Sequence, residues 1–192
     1  MTDSLIHEAV ITTLDASGRA HITPLGYRCE GGQVILAPFV PSRTLDNLRH
    51  HPEAVLNFTT DVRVIAGALT GRREWPVTAA TRVKVPRLVE SLAHWELEVV
   101  ATREDPERPR FTCKRVLEAN HAPFTGFNRA QAAVVELAIL VSRLDWLAPA
   151  QVRAERDYLQ RAIDKTAGPR EHEAWLWLTE AVDAHPRHWA AA

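Results

Sequence analysis

The run APFVPSRTLDNLRHHPEAVLNF, residues 37–58, sets Ser42, Arg43 and Thr44 immediately ahead of a short helical pattern. Backbone N–H groups at a helix start lack an intrahelical partner and draw anions, and hydroxyls beside a guanidinium strengthen that pull. Arginine suits phosphate in particular, because its planar fork donates two hydrogen bonds at once. The same residues also describe plain capping, with Ser42 or Thr44 as the cap and Arg43 in solvent. Two readings stand, an anion cradle and a cap, and the elements around the loop have to separate them.

A second stretch, Thr23-Pro24-Leu25-Gly26-Tyr27, falls inside a strand pattern. Proline there argues for an edge, a bulge or an opening, and Gly26 permits close approach by another backbone or a flat ring. Ala37-Pro38-Phe39 likewise ends its strand on a residue that cannot complete a ladder. Two neighbouring strands would thus leave unpaired backbone groups beside the candidate cradle. A flavin ring needs such groups along its polar edge and a phosphate anchor at its tail. Protection of an exposed sheet edge explains the same prolines.

The elements that position these residues are strands first. HEAVITTLD and HITPLGYRC are joined across Leu14 to Ala20 as a hairpin, EGG turns into QVILAPF, a short helix carries Leu45 and Leu48, and Pro52 ends it ahead of AVLNFTT. This β-β-β-α-β order suits a small antiparallel barrel rather than a doubly wound sheet. VRVIAGALTG fits helix or strand. AHWELEVVATRE alternates, with Trp95, Leu97 and Val99 on one face and Glu96 and Glu98 on a solvent face; RFTCKRVLEA is its partner. From Asn128 the period becomes helical: RAQAAVVELAILVSRL, then a helix with Val152, Tyr158, Leu159 and Ile163 on a covered side, then one carrying Trp175, Leu176, Leu178 and Val182. The expectation is an α+β protein with a mainly β core: a barrel domain over 1–127 and a helical extension over 128–192. Exposed Trp175, Trp177 and Trp189 would give that extension an intersubunit role.

Composition narrows the function. The 192 residues are 46% apolar and 24% charged with a formal net charge of -1, which gives no basic footprint for nucleic acid. No apolar run approaches the roughly 20 residues of a bilayer span, and MTDSLIHEAV is not a signal peptide. Cys29 and Cys113 read as reduced thiols of a cytoplasmic protein. Among the nine histidines, adjacent His50-His51 would point apart on a helix, and His185/His188, at i,i+3, have no cysteine or carboxylate partner in register. His121, just before APFTGFNRA, is a candidate proton donor or a plain loop residue. No P-loop, G-x-G-x-x-G or G-x-S-x-G is present, so chemistry falls to a cofactor.

HEAVITTLDASGRAHITPLGY, SRTLDNLRHHPEAVLNFTTD and FTGFNRAQAAVVELAILVSRL together resemble a family of FMN-binding split-barrel proteins related to flavin reductase-like and pyridoxamine-phosphate-oxidase-like barrels. The resemblance runs from about Ile6 to about Leu144, and GFNRA, Gly126 to Ala130, is its most distinctive piece. It implies a homodimer with FMN in the cleft between protomers. By position, Ser42, Arg43 and Thr44 match the phosphate loop, and Thr23, Pro24, Leu25 and Gly26 the strand beside the isoalloxazine. Asn57 and Thr59 match positions that could face the ribityl chain. Asn128 and Arg129 match a helix start that could reach a flavin, including the partner protomer's. The family's occurrence in archaea and methylotrophs suggests an FMN-dependent oxidoreductase reduced by NAD(P)H and linked to one-carbon, methanopterin-type metabolism; a non-catalytic flavin carrier or sensor is the alternative. Gly71 to Ala93 matches little and is where substrate recognition could lie.

Overall fold

The computed structural model describes residues 5–189, with the side chains of 188 and 189 outside that description. It resolves into two compact units. One comprises the described residues up to Thr59 together with Glu74–Phe124; the other comprises Thr60–Arg73 and the described residues from Thr125 onward.

The first unit is the barrel. Its elements are β1 (His7–Leu14), β2 (Ala20–Glu30), β3 (Gln33–Leu36), α1 (Arg43–His50) and β4 (Glu53–Phe58), followed, beyond α2 (Arg63–Leu69) of the other unit, by β5 (Val77–Thr78), β6 (Arg87–Leu88), β7 (Ala93–Arg103) and β8 (Arg110–Asn120). Six strands close in the order β1-β2-β3-β8-β7-β4, all antiparallel, and β5 pairs only with β6. Alternation fills the interior: Ile11, Leu36, Leu56, Leu97 and Phe111 are fully buried there, joined by Leu45 and Leu48 of α1. Pro52 stops α1, whose Asn47 donates Nδ2 to Thr13 Oγ1 at 2.9 Å and so fixes the helix on β1.

The outer face of β4 and β7 is covered as well. Residues 74–92 form a strap whose Val83 and Val85 pack on Val55. Pro76 and Pro86 keep it from joining a ladder beyond the two-residue β5–β6 pair. A strap without regular pairing must satisfy its N–H groups elsewhere. The barrel's outward polar side chains do that. Glu96 accepts from Thr81 and Val83 at 2.8 and 3.0 Å and also from Arg82; Glu53 accepts from Lys84, and Asn57 Oδ1 from Leu88. Glu96 is therefore not on a solvent face as the alternation suggests; it has no exposed surface at all.

The helical unit holds α2 with α3 (Arg129–Val141), α4 (Pro149–Thr166), α5 (Pro169–Ala184) and α6 (Pro186–Trp189). It thus takes in residues 60–73, which the sequence reading assigns to the barrel domain, because Val62 and Ala66 bury in the helical core beside Val134, Leu137, Ile163 and Leu178. Asp61 reinforces this, bridging Arg63 at 2.7 Å and Arg170 at 3.3 Å. Trp175 is buried within this unit and donates Nε1 to Gln160 Oε1 at 2.9 Å, so it is not an exposed aromatic. Trp177 lies half-buried beneath the Arg72 guanidinium, and the Trp189 side chain lies outside the described residues. Tyr158, expected on a covered side, points to solvent at 70% exposure, and Leu176 is exposed as well.

Candidate functional site

The barrel closes, but one edge of β2 is left open past the end of β3. Residues Ala20 to Tyr27 pair with β1, but β3 pairs only from Tyr27 onward. The backbone of Thr23, Pro24, Leu25 and Gly26 therefore has no strand on its second side among the described residues. Leu25 packs into the barrel core, which leaves Pro24 on the outer face. At Gly26 the crowding comes from within the chain: a Cβ there would meet Ile6 Cγ2 at 2.9 Å. The glycine is required by Ile6, where the sequence suggested an approaching ring or backbone. The Ala37–Phe39 backbone is not left open either. Arg108 donates Nε and Nη2 to Ala37 O at 3.1 and 2.8 Å and lies over the Phe39 ring, and Val40 N–H reaches Glu107 O.

Past that turn, Ser42 adopts extended backbone and caps α1, accepting the Leu45 N–H at 3.3 Å. The capping reading thus holds for Ser42, and Thr44 is buried beneath the helix start. Arg43 is different. It is exposed and has no hydrogen bond or ion pair among the described residues. The helix itself packs on β1 and on β2, the strand that carries the open edge.

The remaining expected residues divide. Asn57 is fully buried and wholly engaged: Nδ2 donates to Val10 O at 3.1 Å and Thr12 Oγ1 at 3.0 Å, while Oδ1 holds the strap at Leu88 N. Its amide ties three segments together and has no group left for a ribityl chain, which corrects the expectation. Thr59 is half-buried and donates to Glu90 O at 3.4 Å. Asn128 belongs to the helical unit and caps α3, accepting from Ala130 and Gln131 while donating to Thr166 O at 2.9 Å. Every polar group of that side chain is used within the unit. Arg129 is exposed on a groove of about 410 Å³ between α3 and α4, beside Tyr158, Arg161 and Lys165.

One constellation is reached by the sequence reading only at His121. Pro24, Val10, Asn57, His94 and Ala119 lie on a single cross-strand row, so their side chains share the outer face. His94 is buried there, with Nε2 at 3.1 Å from Glu96 Oε1 and Nδ1 at 2.8 Å from Nε2 of His121. The His94 and His121 rings are inclined by only 9° with centroids 5.0 Å apart. With nitrogens in contact at 2.8 Å, that separation means rings meeting end to end rather than face to face. Burial pushes the Glu96 carboxyl up, but the N–H groups of Thr81 and Arg82, His94 and the Val83 N–H outweigh it and hold it below the usual carboxylate range. Desolvation, the Arg87 charge and His94 lower His121. The available signal was His94-x-Glu96 within one alternating strand, which period two puts on one face.

A six-strand barrel with one edge of β2 left open past β3, with a guanidinium at the start of a helix that packs on that strand and a helical unit, defines the class of split β-barrels with a C-terminal helical extension. The chain belongs to the family described as "Protein of unknown function (DUF447)": residues 7–122 match its N-terminal domain and 128–180 the remainder. Among solved structures, the FMN-bound protein MM1853 of Methanosarcina mazei, of the same family, is similar at TM-score 0.80 and 17% identity, covering 92% of this chain and 94% of that one. Flavoredoxin from Methanosarcina acetivorans gives 0.51 at 16% identity, covering 60% and 69%. The FMN-binding protein of Thermus thermophilus with bound p-hydroxybenzaldehyde also gives 0.51 at 16%, covering 59% and 71%. At these identities the likeness is one of fold. No described helix is long and apolar enough to cross a membrane.

Proposed function

We propose that this chain binds FMN and acts as an FMN-dependent oxidoreductase on a small molecule. The observation that carries the reading is Arg43, a guanidinium without a partner among the described residues at the start of α1, a helix that packs on the strand with the open edge. An arginine so placed suits a phosphate monoester, and an open strand edge supplies donors and acceptors for the polar rim of a flavin. The FMN-bound relative of the same family and the other flavin-binding barrels support the same ligand. Bound FMN would supply hydride-level redox chemistry, and the protein would supply position. Ser42 and Thr44 would shape the phosphate loop, and Thr23 to Gly26 would border the ring. Exposed Leu5, Ile6, Phe39 and Val40 of the barrel unit favour a homodimer closing over this edge.

The test is the visible spectrum of the purified protein after addition of FMN and desalting. Retained flavin bands at about one per chain are expected for a site of this kind, and a colourless protein would remove the reading. Arg43→Ala should weaken FMN by roughly 10- to 100-fold, the scale of one charge-assisted hydrogen bond. Anaerobic addition of NADH or NADPH then separates turnover from carriage: bleaching of the flavin supports the oxidoreductase, and a flavin that neither donor reduces supports a carrier.

A further inference from the structure

Three groups on the outer face of the barrel unit have an order that neither holding the strap nor holding a flavin phosphate requires. Of the three groups only Glu96 bonds the strap, its carboxylate taking the Thr81, Arg82 and Val83 N–H groups. Yet Glu96 also engages His94, and His94 engages His121. We propose that Glu96, His94 and His121 form a proton relay that presents Nδ1 of His121 as a general base to an anionic small molecule carrying an acidic proton.

Hydrogen-bonding capacity fixes the direction. An ionised carboxylate only accepts, so His94 must carry its proton on Nε2. Neutral His94 then offers a lone pair at Nδ1, and His121 must donate from Nε2. That leaves the lone pair of His121 on Nδ1, the nitrogen outside the chain of bonds, on a ring that is exposed where His94 is not. Backbone bonds hold the geometry: His121 and Ala122 both donate their N–H to Leu92 O, at 2.7 and 3.1 Å, and Leu92 N–H is tied to Phe58 O. The groups facing His121 are His94 and, behind it, Glu96 from β7, and Arg87 from the strap.

The proton step balances without a further reactant. The substrate X–H bond breaks as Nδ1–H forms on His121. The Nε2–H of His121 passes to Nδ1 of His94, and the positive charge comes to rest on His94 against Glu96. His121 is thereby neutral again, and the charge is stabilised by a buried anion held by three backbone donors. The reverse sequence returns the proton to product. Arg87 sets the substrate class. Its Nη1 donates to Leu88 O at 2.9 Å and to Val89 O, while Nε and Nη2 have no partner among the described residues. Leu88, the next residue, is held by Asn57, the cross-strand neighbour of His94, so Arg87 lies beside the relay and attracts an anionic group there. This assignment does not depend on FMN.

The relay is read in the FMN-free full chain. In wild type, imidazole ¹⁵N spectra at pH 8 should show His94 and His121 both protonated on Nε2. A proton on Nδ1 of His121 overturns the relay. At the same pH, carbethoxylation of His121 by diethyl pyrocarbonate, followed by peptide mass spectrometry, should outpace that of exposed His50. In Glu96→Gln it should slow by about tenfold, the effect of one unit of proton affinity, with His50 unchanged. An equal rate at His121 and His50 in wild type would mean that Glu96 serves the strap only. Inorganic phosphate as probe anion should slow the reaction at His121 in wild type and not in Arg87→Gln; lack of protection in wild type overturns the anionic substrate class.

Discussion

The two units differ in how they bury polarity. The helical unit keeps a largely apolar core, with the Trp175–Gln160 bond as a mid-helix exception, and places other polar groups at helix ends, where Asn128 caps α3 and Glu171 accepts the Gly168 N–H. The barrel unit buries Glu96, His94 and Asn57 at the centre of a sheet face. A helix satisfies its own backbone except at its termini, so polar side chains are needed only there. An irregular strap satisfies few of its own, and the sheet beneath has to supply acceptors. Buried charge in the barrel is the consequence of covering a sheet with unpaired chain.

That contrast is most sharply tested by removing the largest acceptor. Glu96→Ala leaves three strap N–H groups and His94 without their partner, and should cost about 4 kcal/mol, the range for breaking a buried ionic network. Urea denaturation at pH 7 measures it. The pH dependence separates charge from packing. The folded Glu96 carboxyl lies below its ordinary value of 4.5, so its contribution is complete above that pH and is lost as pH falls through the folded value. The deficit of the variant should therefore narrow in acid. Leu137→Ala, in the core of the helical unit, should cost about 3 kcal/mol by the cavity it leaves, with a deficit that does not follow pH in this way. A Glu96→Ala deficit that stays constant from pH 7 down to pH 3 would sink the account of Glu96 as a paired anion.

Asn57→Ala comes next, at about 2 kcal/mol for a buried donor and acceptor left unsatisfied. It should also loosen the strap, since Asn57 Oδ1 is the bond that holds Leu88. Limited trypsin digestion should then cut after Arg82, Lys84 or Arg87 in the variant well before wild type. Cleavage at wild-type rate would show that Val83 and Val85 hold the strap without Asn57.

The same contrast explains what could be read from sequence. Strands β1 to β4, the hairpin at residues 14–20 and the three long helices follow from period and from Gly and Pro, because each is local. The strap is not local. Nothing near Thr81 or Leu88 indicates that their N–H partners lie at Glu96 and Asn57, and alternation alone put Glu96 in water. Residue types at a helix start point to Ser42, Arg43 and Thr44, and the structure distinguishes them: Ser42 caps, Thr44 is buried and Arg43 remains available. Asn57 and Asn128 matched by position, yet their amides are engaged inside the chain. An amide's partners cannot be inferred from its own neighbours in sequence. The cysteines illustrate a simpler case: Cys29 and Cys113 both face Val34 from opposite sides and form no disulfide with each other. Two strand spacings, about 10 Å, separate them, beyond disulfide reach.

The smallest effect concerns the ends of the helical unit. Asn128 makes two kinds of bond, a cap to Ala130 and Gln131 N–H and a tie from Nδ2 to Thr166 O. Asn128→Ala removes both and should cost about 1 kcal/mol, the usual worth of a cap. Asn128→Asp retains the acceptor and places a negative charge at a helix start, where the macrodipole favours it, but loses the donor to Thr166. If capping dominates, the aspartate variant should recover most of the alanine deficit in thermal or urea unfolding. If the tie to α4 dominates, both variants should fall together, because the aspartate oxygen would then oppose the Thr166 carbonyl. The second outcome would make this helix end resemble the barrel's strap, where a side chain serves distant backbone, and would blur the distinction between the two units.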